Sequence, residues 1–378
     1  MYWLDTRIPV PEDLHLAGTM FFLSVKNPRD SAAYRESALH KIASEPEMKA
    51  FIEHGQDTCR LLLEVYGDEI PADLEFITEA LSREFSVAYT RLRFTEAGEP
   101  VPGILISALL KREPAEAEAA LAEALTGTFG PQMLESRVVQ EHGGAEIKAM
   151  GSPDDALYYT FVDRRMIAAS LPTDLRTALN LAAGQGEPLS AQATFKHVIG
   201  KVGGRDCMLV IYADVKTLHG QFGAAIPPEA QPFVESLGVQ NIVAAGFGSR
   251  FAEGGIRAAL YLDAPGERGG FLTPSPRPVD LAVLSMVPKN ARAAAVLRLD
   301  LEQAYGAVIN LLQNVGDADS AEVLDAIADF EQRAGFRIKE DLLASLGTQI
   351  LFYASPDENV LMIEYKDRNA LDSSIRKL

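Results

Sequence analysis

Two aspartates stand where an apolar run gives way to a helical pattern. Asp300 follows the strand-like run in RAAAVLRLDLEQAYGAVINLLQNVG, and Asp214 follows CMLVIYA in CMLVIYADVKTLHGQF. A carboxylate at the end of a strand could act as a general acid or base. It could also cap the helix, accepting from a backbone N–H two or three residues on. Asp300 with Gln303 fits a capping box, and the cap is the role expected of both.

Other chemistry-bearing groups are sparse. Arg91 and Arg93 alternate onto one strand face with Tyr89, which would suit an anion or a solvated sheet face. Asp154 and Asp155 precede Tyr158 and Tyr159 and read as a turn before a strand. The stretch from Gly316 to Glu322 is calcium-loop-like but lacks the central glycine and distal Glu of that motif. A loop ending in a Ser320 cap is expected instead. None of the histidines (His15, His40, His54, His142, His197, His219) has His-Glu-x-x-His spacing. His40 and His54 read as helix residues rather than a metal pair.

Cys59 shares a helical apolar stripe with Phe51, Ile52 and Leu62, and Cys207 opens an apolar strand. Both read as buried structural thiols, with one disulfide between them left open. Gly200-Lys201-Val202-Gly203-Gly204 lacks the spacing of a Walker loop. Gly246-Phe247-Gly248 falls inside a predicted strand, not at a strand-to-helix turn, so it is no dinucleotide fingerprint. No Gly-x-Ser-x-Gly elbow occurs. No catalytic, cofactor-binding or metal residue is assigned, no cofactor is expected, and the chain reads as a non-enzyme.

Charge narrows the partners. The 53 acids outweigh the 35 bases, for a net charge of −18. That disfavours nucleic acid, whose phosphates need a positive surface, and anionic lipid. No run approaches the ~18 apolar residues of a membrane helix, so no transmembrane segment is expected. The N-terminal MYWLDTRIPVPEDLH has neither the basic nor the apolar region of an export signal. A protein or an apolar ligand is the partner class left.

The elements that must position these residues are legible from periodicity. Met20–Val25 reads as a strand, followed by a helix capped at Asp30 or Ser31 and running to about Ala43. Helices are expected from Pro46 to about Tyr66 and from Pro71 to Ser82. Phe85–Phe94 and Val101–Leu110 form a hairpin, and Glu113–Leu125 a helix. Four short strands span 135–171, and a helix runs from Asp174 to Ala183. A helix at 191–202, a strand at 207–213, a short helix after Asp214 and another after Pro227-Pro228 lead to a hairpin of 239–250 and 256–262. After the linker PGERGGFLTPSPRP come the Asp300 unit, helices at 320–334 and 339–346, a hairpin of 348–354 and 359–365, and a last helix. This predicts an α+β fold with antiparallel hairpin-built sheets and helices packed on one face. Units are expected at 1–188, 189–278 and 279–378.

Internal similarity is visible. Gly67-x-x-Ile70-x-x-Asp73-Leu74 matches Gly335-x-x-Ile338-x-x-Asp341-Leu342, and Ser236-Leu237-Gly238-x-Gln240 matches Ser345-Leu346-Gly347-x-Gln349. Each precedes a hairpin, so an internally repeated plan is expected. The first copy continues beyond its hairpin through four strands, whereas the last reaches one helix, so the last repeat is expected to be truncated.

These segments resemble an uncharacterised bacterial family, domain-of-unknown-function family 3352. The resemblance rests on LSMVPKNARAAAVLRLDLEQAY, on FEQRAGFRIKEDLLASLGTQILFYASP, and on FFLSVKNPRDSAAYRESALHKIASEPEMKAFIEHG. It implies a larger exported or envelope-associated protein in which this plan occurs more than once, and it carries over no catalytic residue. The expected function is a binding or structural module of the cell envelope. A carrier of an apolar ligand or lipidated partner, held between sheet and helices, is the second expectation. A hydrolase with a site assembled from distant residues is the third.

Overall fold

A computed structural model describes residues 10–27, 31–51, 54, 83–94, 100–129, 136–151, 156–223, 226–227, 231, 234, 238–252, 255–266, 278–316 and 318–377. The expected helix at 71–82, most of that at 46–66, most of that after Pro228, Cys59 and the Asp154-Asp155 turn lie outside the described residues. The chain forms two compact units. One comprises Met1–Gln221 with Val243–Asp263, the other Phe222–Ile242 with Ala264–Leu378.

The first unit holds α1 (Pro11–Leu14), β1 (Phe21–Lys26), α2 (Ala32–Glu36), α3 (Ala38–Ala43), β2 (Glu84–Phe94), β3 (Pro100–Leu109) and α4 (Pro114–Phe129). A meander follows: β4 (Ser136–His142), β5 (Ala145–Met150), β6 (Leu157–Val162) and β7 (Arg165–Ala169). Then come α5 (Pro172–Ala182), α6 (Ala193–Val202), β8 (Leu209–Ala213), α7 (Val215–Phe222), β9 (Ala244–Ala252) and β10 (Gly255–Asp263). Ser37, extended at φ −69° and ψ 153°, splits the helix expected to run unbroken to Ala43. Its hydroxyl oxygen accepts from the His40 N–H at 3.1 Å and restarts the helix there.

All ten strands join one antiparallel sheet in the order β10-β9-β8-β1-β2-β3-β7-β6-β5-β4. The expected boundary at 188 therefore cuts through a continuous sheet. β8 pairs with β1, from Phe21 opposite Ala213 to Val25 opposite Leu209, and so carries the β8–β10 set into the first unit.

Helices cover both faces of this sheet, not one. Leu105, Ile167 and Ala169 pack with Leu14 of α1 and with Leu175, Ala178 and Leu179 of α5. Phe22, Val210 and Tyr212 pack with Phe195, Val198, Ile199 and Val202 of α6. The alternate residues Ala108, Met166 and Ala168 turn the other way, onto Ala117, Ala120 and Leu121 of α4. The reason lies in β7, all five of whose residues are buried. A strand apolar on both sides must be covered on both.

Gly246-Phe247-Gly248 has a packing role. A Cβ on Gly246 would meet Val198 Cγ1 at 2.4 Å, and one on Gly248 would meet the Val202 carbonyl oxygen at 2.6 Å and Cys207 Sγ at 2.8 Å. The bare backbone lets α6 lie close on β9.

The second unit holds β11 (Ala293–Arg298), α8 (Leu301–Val315), α9 (Ala318–Ala334), a π-helical turn at Ile338–Leu342, β12 (Leu346–Ala354), β13 (Asn359–Tyr365) and α10 (Arg368–Lys377). Its strands form an antiparallel sheet in the order β11-β12-β13. Gly316 closes α8 in the left-handed region, at φ 63°. Of the two expected internal matches, the one at Gly67–Leu74 lies outside the described residues. In the other, Gly238 is left-handed at φ 73° while Gly347 sits within β12, so the matched glycines do different work.

Gly248→Ala should lower stability by about 1–3 kcal/mol, because a backbone carbonyl cannot yield to the new methyl. Gly200→Ala, in α6 with nothing within 4 Å of the new Cβ, should be neutral or stabilising by up to about 1 kcal/mol. Urea unfolding of the two variants side by side checks both signs.

Candidate functional site

The polar residues that the structure brings together lie in the middle of the large sheet. Ser24 of β1 stands opposite Ser86 of β2, and Ser86 opposite Ser107 of β3. The three form a row across neighbouring strands, and all are buried. His15, just past α1, lies over the row. Its Nε2 is 2.9 Å from the Ser86 hydroxyl, and its ring meets Phe22 edge-on. Arg165 of β7, also buried, donates from Nη1 to Ser107 Oγ at 2.9 Å and from Nη2 to the Glu84 carboxylate. His15 Nδ1, Ser24 Oγ and Arg165 Nε are buried without a hydrogen-bond partner.

A serine against a histidine suggests a nucleophile and its base. The electrostatics disfavour that chemistry. Burial, helped by the nearby Arg165 charge, pulls the His15 pKa down from 6.5 to about 3. The imidazole is therefore neutral at physiological pH and too weak a base to take a serine proton there. Among the described residues no group holds its Nδ1, which a nucleophile's base needs to fix its tautomer. The ring itself is fully buried. What the row does is tie β2 to His15 and to β7, and β7 to β3, by polar contacts, at the cost of several unsatisfied groups.

A second buried polar cluster ties α5 to β2. Asp174, fully buried, accepts from Thr90 Oγ1 at 2.6 Å and pairs with the Arg91 guanidinium. Arg91 also donates to Thr173 Oγ1 at 2.7 Å. Here the structure corrects the expected alternation of Tyr89, Arg91 and Arg93. A bulge between Tyr89 and Arg91 adds a residue to β2 and swings Arg91 to the opposite face, toward Asp174. Gly103 makes room for the bulge, since a Cβ there would lie 2.5 Å from Thr90 Oγ1. Arg91 is thus engaged with Asp174 rather than a free anion ligand, while part of its side chain stays exposed to solvent.

The remaining candidates sit as follows. Asp300 accepts from the Gln303 N–H at 3.0 Å and Asp214 from the Thr217 N–H at 2.9 Å, so both cap helices. Cys207 is buried, its thiol pushed up by burial, and its Sγ lies 3.5 Å from the Val202 carbonyl oxygen. Tyr159 is buried, and its hydroxyl donates at 2.7 Å to Glu118, which Lys148 also holds at 2.7 Å. Among the described residues, no group of three or more His, Cys, Asp or Glu is placed to hold a metal ion. None of their helices is long and apolar enough to cross a membrane.

The serine row was not anticipated, although it left a trace. Ser24, Ser86 and Ser107 each interrupt an apolar strand, in FFLSV, FSVAY and ILISALL. Compared with family models, curated proteins and solved structures, the chain matches none.

His15 makes stability depend on pH. Between about pH 6.5 and 3 the unfolded chain binds a proton on this ring and the folded chain does not. Stability from this group is therefore complete above pH 6.5 and falls as pH drops toward 3, by about 1.4 kcal/mol per pKa unit of difference. His15→Gln should unfold less steeply with acid than the wild type over that window. Parallel denaturation series from pH 7 to pH 4 would show it, and identical slopes would refute it.

Asp174→Ala should cost about 2–3 kcal/mol, because it strips partners from Thr90 and Arg91 around a buried position. Glu113→Ala, which removes a pair with Arg164 exposed on both sides, should change stability by less than about 1 kcal/mol. Thermal unfolding distinguishes the two.

Proposed function

We propose that this chain is a non-enzymatic binding module of the bacterial cell envelope, and that it binds protein through one face of the β11-β12-β13 sheet. The envelope setting follows from the family resemblance. The binding reading is carried by one observation, an open apolar sheet face. Ala295 stands opposite Phe352, and Phe352 opposite Leu361. Leu297 stands opposite Ile350, and Ile350 opposite Ile363. Leu361 is 62% exposed, Leu297 43% and Phe352 39%, whereas Ile350, opposite Leu297, is buried at 8%, so the open apolar patch is the part of the face around Leu297, Phe352 and Leu361. The alternate residues of β12, Leu351 and Tyr353, are buried on the other side. A sheet face that is partly open and apolar where it is open departs from the usual apolar-in, polar-out alternation. Apolar surface left open in this way marks an interaction site.

Two features weigh against the other readings. In the first unit α6 lies close against β9 at Gly246 and Gly248, so the sheet's apolar surface there is spent on its own helices rather than on a carried ligand. The Ser86–His15 pair is buried and its imidazole is a weak base, which disfavours a hydrolase built on it.

A photo-crosslinking residue placed at Leu361 in cells should give a discrete protein adduct, and one placed at Glu123, an exposed position of α4, should not. Equal labelling at both positions, or none at Leu361, would overturn the reading.

A further inference from the structure

We infer that the outer edge of β11 pairs strand to strand with β11 of a second copy of this chain. This surface is the strand edge, separate from the open face above, and the inference goes beyond the binding reading.

The precedent lies within the chain. Three times a lead strand is followed by helix and then by a hairpin, and each lead strand pairs antiparallel with the first strand of its hairpin. These are β1 with β2, β8 with β9, and β11 with β12. In the first unit the two lead strands also pair antiparallel with each other, over five residue positions. The result is the run β10-β9-β8-β1-β2-β3, a hairpin and lead strand meeting a lead strand and hairpin. Among the described residues, β11 is the one lead strand with no strand paired on its outer side. Two copies joined there would give β13-β12-β11-β11-β12-β13, the same arrangement. Such a contact is isologous and closes at two copies.

Two of the devices that blunt a strand edge, a bulge and a charge in mid-strand, are missing from β11. β10 carries Arg257 as its third residue. β4 is bulged between Val138 and Gln140, and the β12–β13 pair between Leu346 and Ile350. β11 keeps an unbroken register from Ala293 to Arg298, and Ala293–Leu297 carries no charge. Its residues are exposed apart from the half-buried Val296 and Arg298.

The direction of its N–H groups makes the inference testable. The Leu299 N–H donates to the Thr348 carbonyl oxygen at 2.8 Å. N–H groups alternate in direction along an antiparallel strand. Those of Ala295 and Leu297 therefore point toward β12, and those of Ala294 and Val296 outward; at the strand's start the Arg292 N–H also reaches β12, donating to the Ala354 carbonyl oxygen at 2.8 Å. A proline at 294 removes an outward donor and leaves the β12 ladder intact.

The wild-type chain should sediment as a dimer at micromolar concentration. Ala294→Pro should weaken self-association by about a hundredfold or more while keeping the wild-type far-ultraviolet circular dichroism. Ala295→Pro, which removes a donor to β12, should instead damage the fold. A spin label on Ala294→Cys, with Cys59 replaced by Ser, needs no proline. It should report a distance between copies within about 20 Å, since paired strands lie about 5 Å apart. A wild-type chain that stays monomeric, or labels farther apart than that, overturns the inference. So does a dimer untouched by Ala294→Pro. If that dimer is dissolved by Leu361→Lys, the contact uses the open face, and the edge inference falls while the binding reading stands.

Discussion

The antiparallel pairing of β1 with β8 is the contact on which the first unit depends. It joins Phe21–Val25 to Leu209–Ala213 across most of the unit's length. Without it the chain would hold two separate sheets, one built on β1–β7 and the other on β8–β10. With it, Phe22 and Tyr212 stand side by side on one face. Phe195 of α6 packs edge-on to both, so one helix spans the seam. The loop-closure entropy of such a distant pairing rises only slowly with length. Apolar burial on both faces supplies the return.

The polar row inside this core is a departure from simple patterning. Three serines in register would each prefer water, and the structure buries them next to a neutral histidine and a paired arginine. The Arg165–Glu84 pair and the His15–Ser86 bond satisfy part of the demand, and several atoms stay unmatched. Buried polar groups of this kind weaken a core and narrow the ways it can pack. A one-residue shift of β1 against β2 would turn Phe22 from the face it shares with Ala88 to the other side of the sheet, so the apolar pattern sets the register.

The two units treat apolar surface differently. In the first, each face of the central strands is covered by helix. In the second, Leu297, Phe352 and Leu361 stay exposed on one face, and among the described residues no strand pairs with the outer edge of β11. Both features concern the same small sheet, which buries Leu351 and Tyr353 on one side and Ile350 on the other.

Much was legible in the sequence by itself. The α+β class, nearly every described strand, the hairpins, and the capping roles of Asp300 and Asp214 follow from local patterns. Period, proline, glycine and short-range side-chain-to-backbone bonds decide them within a few residues. Cys207 as a buried thiol follows from its apolar run in the same way. What only the tertiary structure decided was which distant residues meet. The Thr90 bulge that turns Arg91 toward Asp174 depends on Gly103 across the hairpin. The His15–Ser86 contact depends on α1 folding over β2. The cover on both sheet faces, and the unit boundary displaced from 188, depend on β8 finding β1. Periodicity states which side of a strand is apolar, but not what lies against it. That is settled by register and packing between segments far apart in the chain.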